Sequence, residues 1–203
     1  MIGFLGKVYA VEEFREEVNE MLEGALRYMI SCKYDKEGCV SLFPSWVYDG
    51  MEPYGKSRLG WCYGDLGIGV SLWNAGKVLE NDSYKQLAMT TIKNSCARRD
   101  LAEGQVKDGG LCHGAFGIVA IFEYMYRETK DQEFKETADF WMQEAIKMDT
   151  GDVDSAGYKM WRGAEQDWED GINLLEGIAG MGLAILSYLD PKLSEWDECL
   201  LIH

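Results

Sequence analysis

Three short segments of this chain can be laid one above another: WCYGDLGIG from Trp61, LCHGAFGIV from Leu111 and LLEGIAGMG from Leu174. The glycines fall in register. Each segment opens a run that is small and apolar on nearly every side: Leu66 to Leu79, Phe116 to Met125, and Ile178 to Leu189. A helix without a polar face has nothing to offer water and is expected to be buried. Between these runs lie segments of another kind. Val11, Phe14, Val18, Met21, Leu22, Ala25, Leu26 and Met29 recur at steps of three and four, giving one apolar stripe and one Glu-rich face. Tyr84, Leu87, Ala88, Ile92 and Cys96 repeat the stripe, as do Phe134, Ala138, Trp141, Met142 and Ala145. Ile2 to Tyr9 reads as the tail of a further apolar helix.

No stretch sustains a period of two. Strand signals are brief, around Cys39 to Leu42, and no sheet core is expected. Buried helices alternating with amphipathic ones predict an all-α fold, an α/α toroid with the Gly-led helices inside and the amphipathic ones outside. The whole chain, 1–203, reads as one such domain. Three and a half helix pairs can be traced, whereas a closed ring needs about six or seven. The expectation is therefore half of a ring. The longest irregular stretch runs from Asp149 to Asn173, rich in Gly, Asp and Trp, and a connection of that length commonly carries function or is mobile.

The net charge of −15 excludes a nucleic-acid partner, because phosphate binding needs a basic surface. No apolar run reaches the ~18 residues of a membrane span. The N-terminus lacks the basic lead and unbroken apolar core of a secretory signal. Six cysteines in a chain of 203 residues, several in helical apolar contexts, predict a reducing compartment, here the cytoplasm, rather than a disulfide framework.

The repeat register brings two of those cysteines into one column. Cys62 stands over Cys112 and Leu175, while Tyr63 stands over His113 and Glu176. Both thiols then lie at the N-termini of successive inner helices, at one end of the ring, where axes ~8–10 Å apart let them reach one ion. The helix dipoles favour thiolate there. Two sulfurs and one imidazole, with a fourth position open, suit a catalytic zinc. The alternative at this level is that both thiols are small buried apolar residues. Cys32, Cys39, Cys96 and Cys199 lack the register and read as core or incidental, and His203 has no assigned role.

SRLGWCYGDLG, LCHGAFG, LLEGIAGMGLAILSYL, SLFPSW and the closing WDECLLI resemble the lanthionine synthetase C-like proteins, the cyclases of lantibiotic biosynthesis. The resemblance covers essentially the whole chain. It implies a double-layered α toroid holding one Zn2+ through Cys62, Cys112 and His113. It also implies addition of a peptide cysteine thiol to dehydroalanine or dehydrobutyrine, which forms a thioether ring. Arg58 matches the family's arginine and is assigned to the enolate. Tyr63 is assigned a hydrogen bond at the site, with packing as its other reading. Trp61 is a pocket wall, Asp65 a cap for the helix opening at Leu66, and Glu176 is left outside the site. The implied partners are a dehydrated precursor peptide and a lanthipeptide dehydratase. The family's earlier His-Gly motif and aspartate are absent, and MIGFLGKVY resembles the sequence just after that motif. Met1 is therefore expected to be internal to a longer protein, and this part alone is expected to bind zinc less well. A LanC-like protein that holds zinc and glutathione without closing rings is the alternative. A metal-free toroid acting on sugars through paired carboxylates ranks third.

Overall fold

The computed structural model of the protein describes residues 1–34, 39–48 and 54–202. His203 lies outside them. The helices are α1 (Ile2–Ala10), α2 (Arg15–Ser31), α3 (Asp65–Val78), α4 (Asp82–Cys96), the single turn α5 (Leu101–Gly104), α6 (Ala115–Thr129), α7 (Gln132–Ile146) and α8 (Ile178–Leu189). Short strands β1 (Pro44–Trp46) and β2 (Tyr54–Lys56) pair antiparallel, as do β3 (Met160–Arg162) and β4 (Asp167–Glu169). The fold is thus all-α with two small hairpins. The 39–42 segment is not a strand, because the backbone N–H groups of Leu42 and Phe43 go to the Asp65 carboxylate instead of a ladder.

The helices form two layers. α1, α3, α6 and α8 follow one another along the inner layer, and α2, α4 and α7 each back the inner helix that precedes them. The amphipathic stripe of α7 is wholly buried: Phe134, Ala138, Trp141, Met142 and Ala145. In α2 the buried positions narrow to Val18, Leu22 and Leu26, leaving Val11, Phe14 and Met21 exposed. Of the inner helices, α6 buries every residue from Ala115 to Met125. α8 does not, with Leu186 49% and Leu189 72% exposed. One side of α8 packs on α6 and the 191–193 turn folds against it, while the flank carrying Leu186 and Leu189 stays open to solvent.

The outer helices α4 and α7 start differently from the inner helices α3, α6 and α8. α4 and α7 are capped by side chains, Asn81 receiving the N–H groups of Ser83 and Tyr84, and Asp131 that of Glu133. α3, α6 and α8 start at glycines with no side-chain cap. At α6 the carbonyls of Asp108, Gly109 and Gly110 take the first N–H groups, those of Ala115, Phe116 and Gly117. The preceding turn therefore folds back under its own helix.

That fold-back needs the second column of glycines. A Cβ added to Gly67 would lie 2.1 Å from the Trp61 carbonyl oxygen. At Gly117 and Gly180 it would lie 1.9 Å from the carbonyls of Leu111 and Leu174. Neighbouring turns are also linked to each other. The Cys112 carbonyl accepts the N–H groups of Trp61 (3.0 Å) and Cys62 (3.2 Å), and the Leu175 carbonyl accepts that of Cys112 (2.8 Å).

The segment after α8 returns across the inner layer. The Asp197 carboxylate pairs with Arg127 of α6, the Asn74 amide of α3 donates to the Ile202 carbonyl, and Lys7 of α1 pairs with Glu198. Leu200 and Ile202 are buried in the core that α6 and α7 build, and the Trp61 indole N–H donates to the Leu200 carbonyl at 2.9 Å.

Two glycine substitutions separate close approach from ordinary helix entropy. Gly117→Ala drives a methyl into backbone that no rotamer change can clear, and is expected to cost about 3 kcal/mol or more. Gly182→Ala, in α8 with nothing within 4 Å of the added carbon, is expected to gain ~0.5–1 kcal/mol. Urea unfolding midpoints of the two variants check both signs.

Candidate metal centre

The turn-to-turn hydrogen bonds have a chemical result. They draw Cys62, Cys112 and His113 together until one ligand atom from each lies within 4.8 Å of the others. Ligand atoms on a single tetrahedral zinc stand ~3.3–3.8 Å apart, so the cluster is close to the required size. Cys62 lies three residues before the start of α3 and His113 two before α6, facing the positive ends of both dipoles. Gly60 allows the approach, since a Cβ there would lie 3.1 Å from the Cα of His113.

The Cys112 thiol hydrogen-bonds to Cys62 and holds Cys62 below the usual thiol range, with help from the Arg58 charge. Cys112 is pushed up correspondingly, because losing its proton would set a second thiolate beside the first. The same sulfur, lying beside the imidazole, raises His113. A cation between the three groups would let both sulfurs ionise. One further atom needs such a partner: His113 Nδ1 is buried with no hydrogen bond. The donor set, its spacing and this orphaned nitrogen fit a soft divalent metal such as zinc.

The remaining sequence candidates fall as follows. The Arg58 guanidinium lines the same cleft as His113 and donates to the Gln105 carbonyl at 2.7 Å, and it makes no ion pair among the described residues. Tyr63 is 46% exposed, its ring centroid 5.8 Å from that of Trp46. Trp61 is a wall, but of a groove on the other side of Cys62, of about 710 Å³, shared with Ile2, Tyr28, Met29 and Leu200.

Two assignments change. Asp65 does not cap a helix opening at Leu66. It is itself the first residue of α3, wholly buried, and its carboxylate receives the N–H groups of Leu42 (2.8 Å) and Phe43 (3.0 Å). Glu176, left outside the site from sequence, stands beside His113. Its Oε1 lies 3.9 Å from His113 Nε2, the nitrogen opposite the orphaned one. Its place in the column of Tyr63 and His113 is the available signal, and the neighbouring Leu175 contributes its carbonyl to the Cys112 N–H.

Elemental analysis of the purified chain is expected to find close to one zinc per chain under reducing conditions. Cys112→Ala, which removes one sulfur and leaves the Cys112 backbone links in place, is expected to reduce this to near zero without loss of helical content by circular dichroism.

Among the described residues no helix is long and apolar enough to cross a membrane. The fold is that of a solved structure named nisin cyclase, with a TM-score of 0.72 and 17% sequence identity over 99% of this chain. The chain spans about half the length of that structure, 48% of it. The family model described as "Lanthionine synthetase C-like protein" matches residues 5–201. With that match over nearly its whole length, the chain belongs to the lanthionine synthetase C-like family.

Proposed function

We propose that the chain is part of a zinc-dependent lanthipeptide cyclase. The observation that carries this reading is the two-sulfur, one-nitrogen cluster, with its unpartnered His113 Nδ1, at the edge of an open cleft of about 550 Å³. Cys62, Cys112 and His113 would hold the metal, leaving one position for a substrate sulfur. Bound there, zinc lowers the thiol pKa and fixes the sulfur in place.

The reaction is an isomerisation. The S–H of a peptide cysteine adds across the C=C of a dehydroalanine or dehydrobutyrine in the same peptide. One C–S bond forms at the β-carbon, the proton passes to the α-carbon, and no electrons leave or enter. Negative charge builds on the adjacent carbonyl oxygen before that proton arrives. Arg58 is suited to that oxygen because it is anchored through one nitrogen to Gln105 and keeps a buried Nε without a partner. The substrate must reach the cleft already dehydrated, so a dehydratase acts before this protein. The free thiols of Cys32, Cys39, Cys62, Cys96, Cys112 and Cys199 support a reducing compartment, which we take to be the cytoplasm.

Ring closure leaves the mass unchanged, so the test counts thiols. A dehydrated precursor peptide is incubated with the zinc-loaded protein and then alkylated, and each ring formed removes one alkylation site. Arg58→Ala is expected to keep its zinc and to lower the initial rate by about 10²–10³-fold. Cys112→Ala is expected to abolish ring formation. An unchanged alkylation count, with the peptide thiol nevertheless bound to the metal, would support the other reading: a LanC-like protein that binds zinc and a thiol such as glutathione without forming rings.

A further inference from the structure

The cleft beside His113 has two walls of different origin. Arg58, Gln105 and Glu176 belong to the inner-helix rim, whereas Trp161, Arg162 and Glu165 belong to the β3–β4 hairpin. The hairpin behaves as a blade. Behind it lies a second cavity of about 650 Å³, bounded by Lys107, Asp108, Tyr158, Lys159 and Trp168. Two three-residue strands standing between two cavities are marginal on their own.

One buried carboxylate holds the blade in place. Asp108 is 2% exposed. Its Oδ1 accepts the Gly110 N–H at 3.0 Å, two residues before Cys112, and its Oδ2 accepts the Trp161 N–H at 2.8 Å, across 53 residues of sequence. A single side chain thus links the metal-binding turn to the strand facing it. The aromatic surface it positions is braced from both sides. The Trp161 and Trp168 rings meet edge-on at 5.2 Å, and the Lys107 ammonium lies 5.9 Å from the Trp161 centroid. Arg162, next in the strand, pairs with Glu165 and Glu169 across the hairpin. A fixed, partly exposed indole beside a charged group is a surface on which a peptide side chain can lie at little entropic cost.

We propose that the β3–β4 hairpin reads the peptide beside the reacting cysteine. Trp161 and Arg162 are the specificity-determining residues, Asp108 is the positioning residue that holds them over the metal turn, and the preferred neighbour of the cysteine is aromatic or large and apolar. This rests on the cyclase-type reading of the metal centre.

The test uses cobalt in place of zinc, so that thiol binding is read from the visible thiolate–metal absorption and not from turnover. The probes are N-acetylcysteine amide and an eight-residue peptide with a central Phe-Cys pair. The parent chain is expected to bind the peptide about tenfold or more tightly than the small thiol. Trp161→Ala is expected to remove most of that preference while leaving cobalt content and the affinity for N-acetylcysteine amide unchanged. Asp108→Asn turns an amide N–H toward one of the two backbone donors; it is expected to lose the same preference and to speed trypsin cleavage after Arg162. A merely structural role for Asp108 would weaken both probes alike and overturns its assignment. Equal preference in the parent and in Trp161→Ala, or no preference in the parent, overturns the proposal. A parent that takes up cobalt but shifts its absorption with neither probe refutes the cyclase-type reading itself, and the hairpin assignment with it.

Discussion

The structure depends on a contact in which there is no space for a methyl group. Each inner helix after α1 seats a backbone carbonyl, from Trp61, Leu111 or Leu174, where the side chain of Gly67, Gly117 or Gly180 would otherwise stand. A turn pressed that closely under its own helix has little conformational choice, and the same turn is made three times. Repetition then does what no single turn could. Residues equivalent in the repeat face the same end of the layer, and the peptide groups of Cys62, Cys112 and Leu175 are hydrogen-bonded in sequence. The metal cluster follows from backbone geometry before any sulfur chemistry enters.

The electrostatics follow from that placement. Packing turns side by side forces two thiols into contact, an arrangement unfavourable to full ionisation until a cation joins them. Helix N-termini and the Arg58 charge favour negative sulfur in this small volume, and the buried Nδ1 of His113 stands beside it. The surrounding elements contribute rigidity. Asp65 secures the 41–43 segment against the start of α3, Asp108 secures the hairpin, and the returning C-terminal segment secures Trp61. Each of these restraints is a buried polar group that is satisfied across a long sequence separation.

That distinction explains what could be read from the sequence. The glycine columns, the apolar and amphipathic runs, and the shared column of Cys62 and Cys112 are all periodic, and periodicity survives in one dimension. Ile178–Leu189 is the helix span in both readings. The resemblance to a family brought in Arg58, which no periodic signal marks. What the sequence could not reveal was the destination of a polar side chain. Asp65 looks like a cap because it follows a glycine at a helix start, yet it serves two backbone donors more than twenty residues away. Glu176 shares the column of Tyr63 and His113, but a column position does not reveal which group a carboxylate will face. The outer flank of α8 shows the converse limit, since apolar composition gives a helix the capacity for burial but does not supply the neighbour that buries it.

The hydrogen bond from the Trp61 indole to the Leu200 carbonyl has a consequence in time. It spans 139 residues and restrains the turn that carries Cys62. Contacts so distant along a chain form late, after the local helix pairs have closed, because loop-closure entropy must be overcome first. The thiol and imidazole on the α6 turn can be in place once α6 and α7 have paired. Cys62 acquires its final restraint only when the last segment of the chain has crossed the inner helices. Completion of the Cys62, Cys112 and His113 cluster is thereby coupled to the docking of the last segment, so a chain lacking that segment has the three ligand groups without the full set of restraints that holds them together.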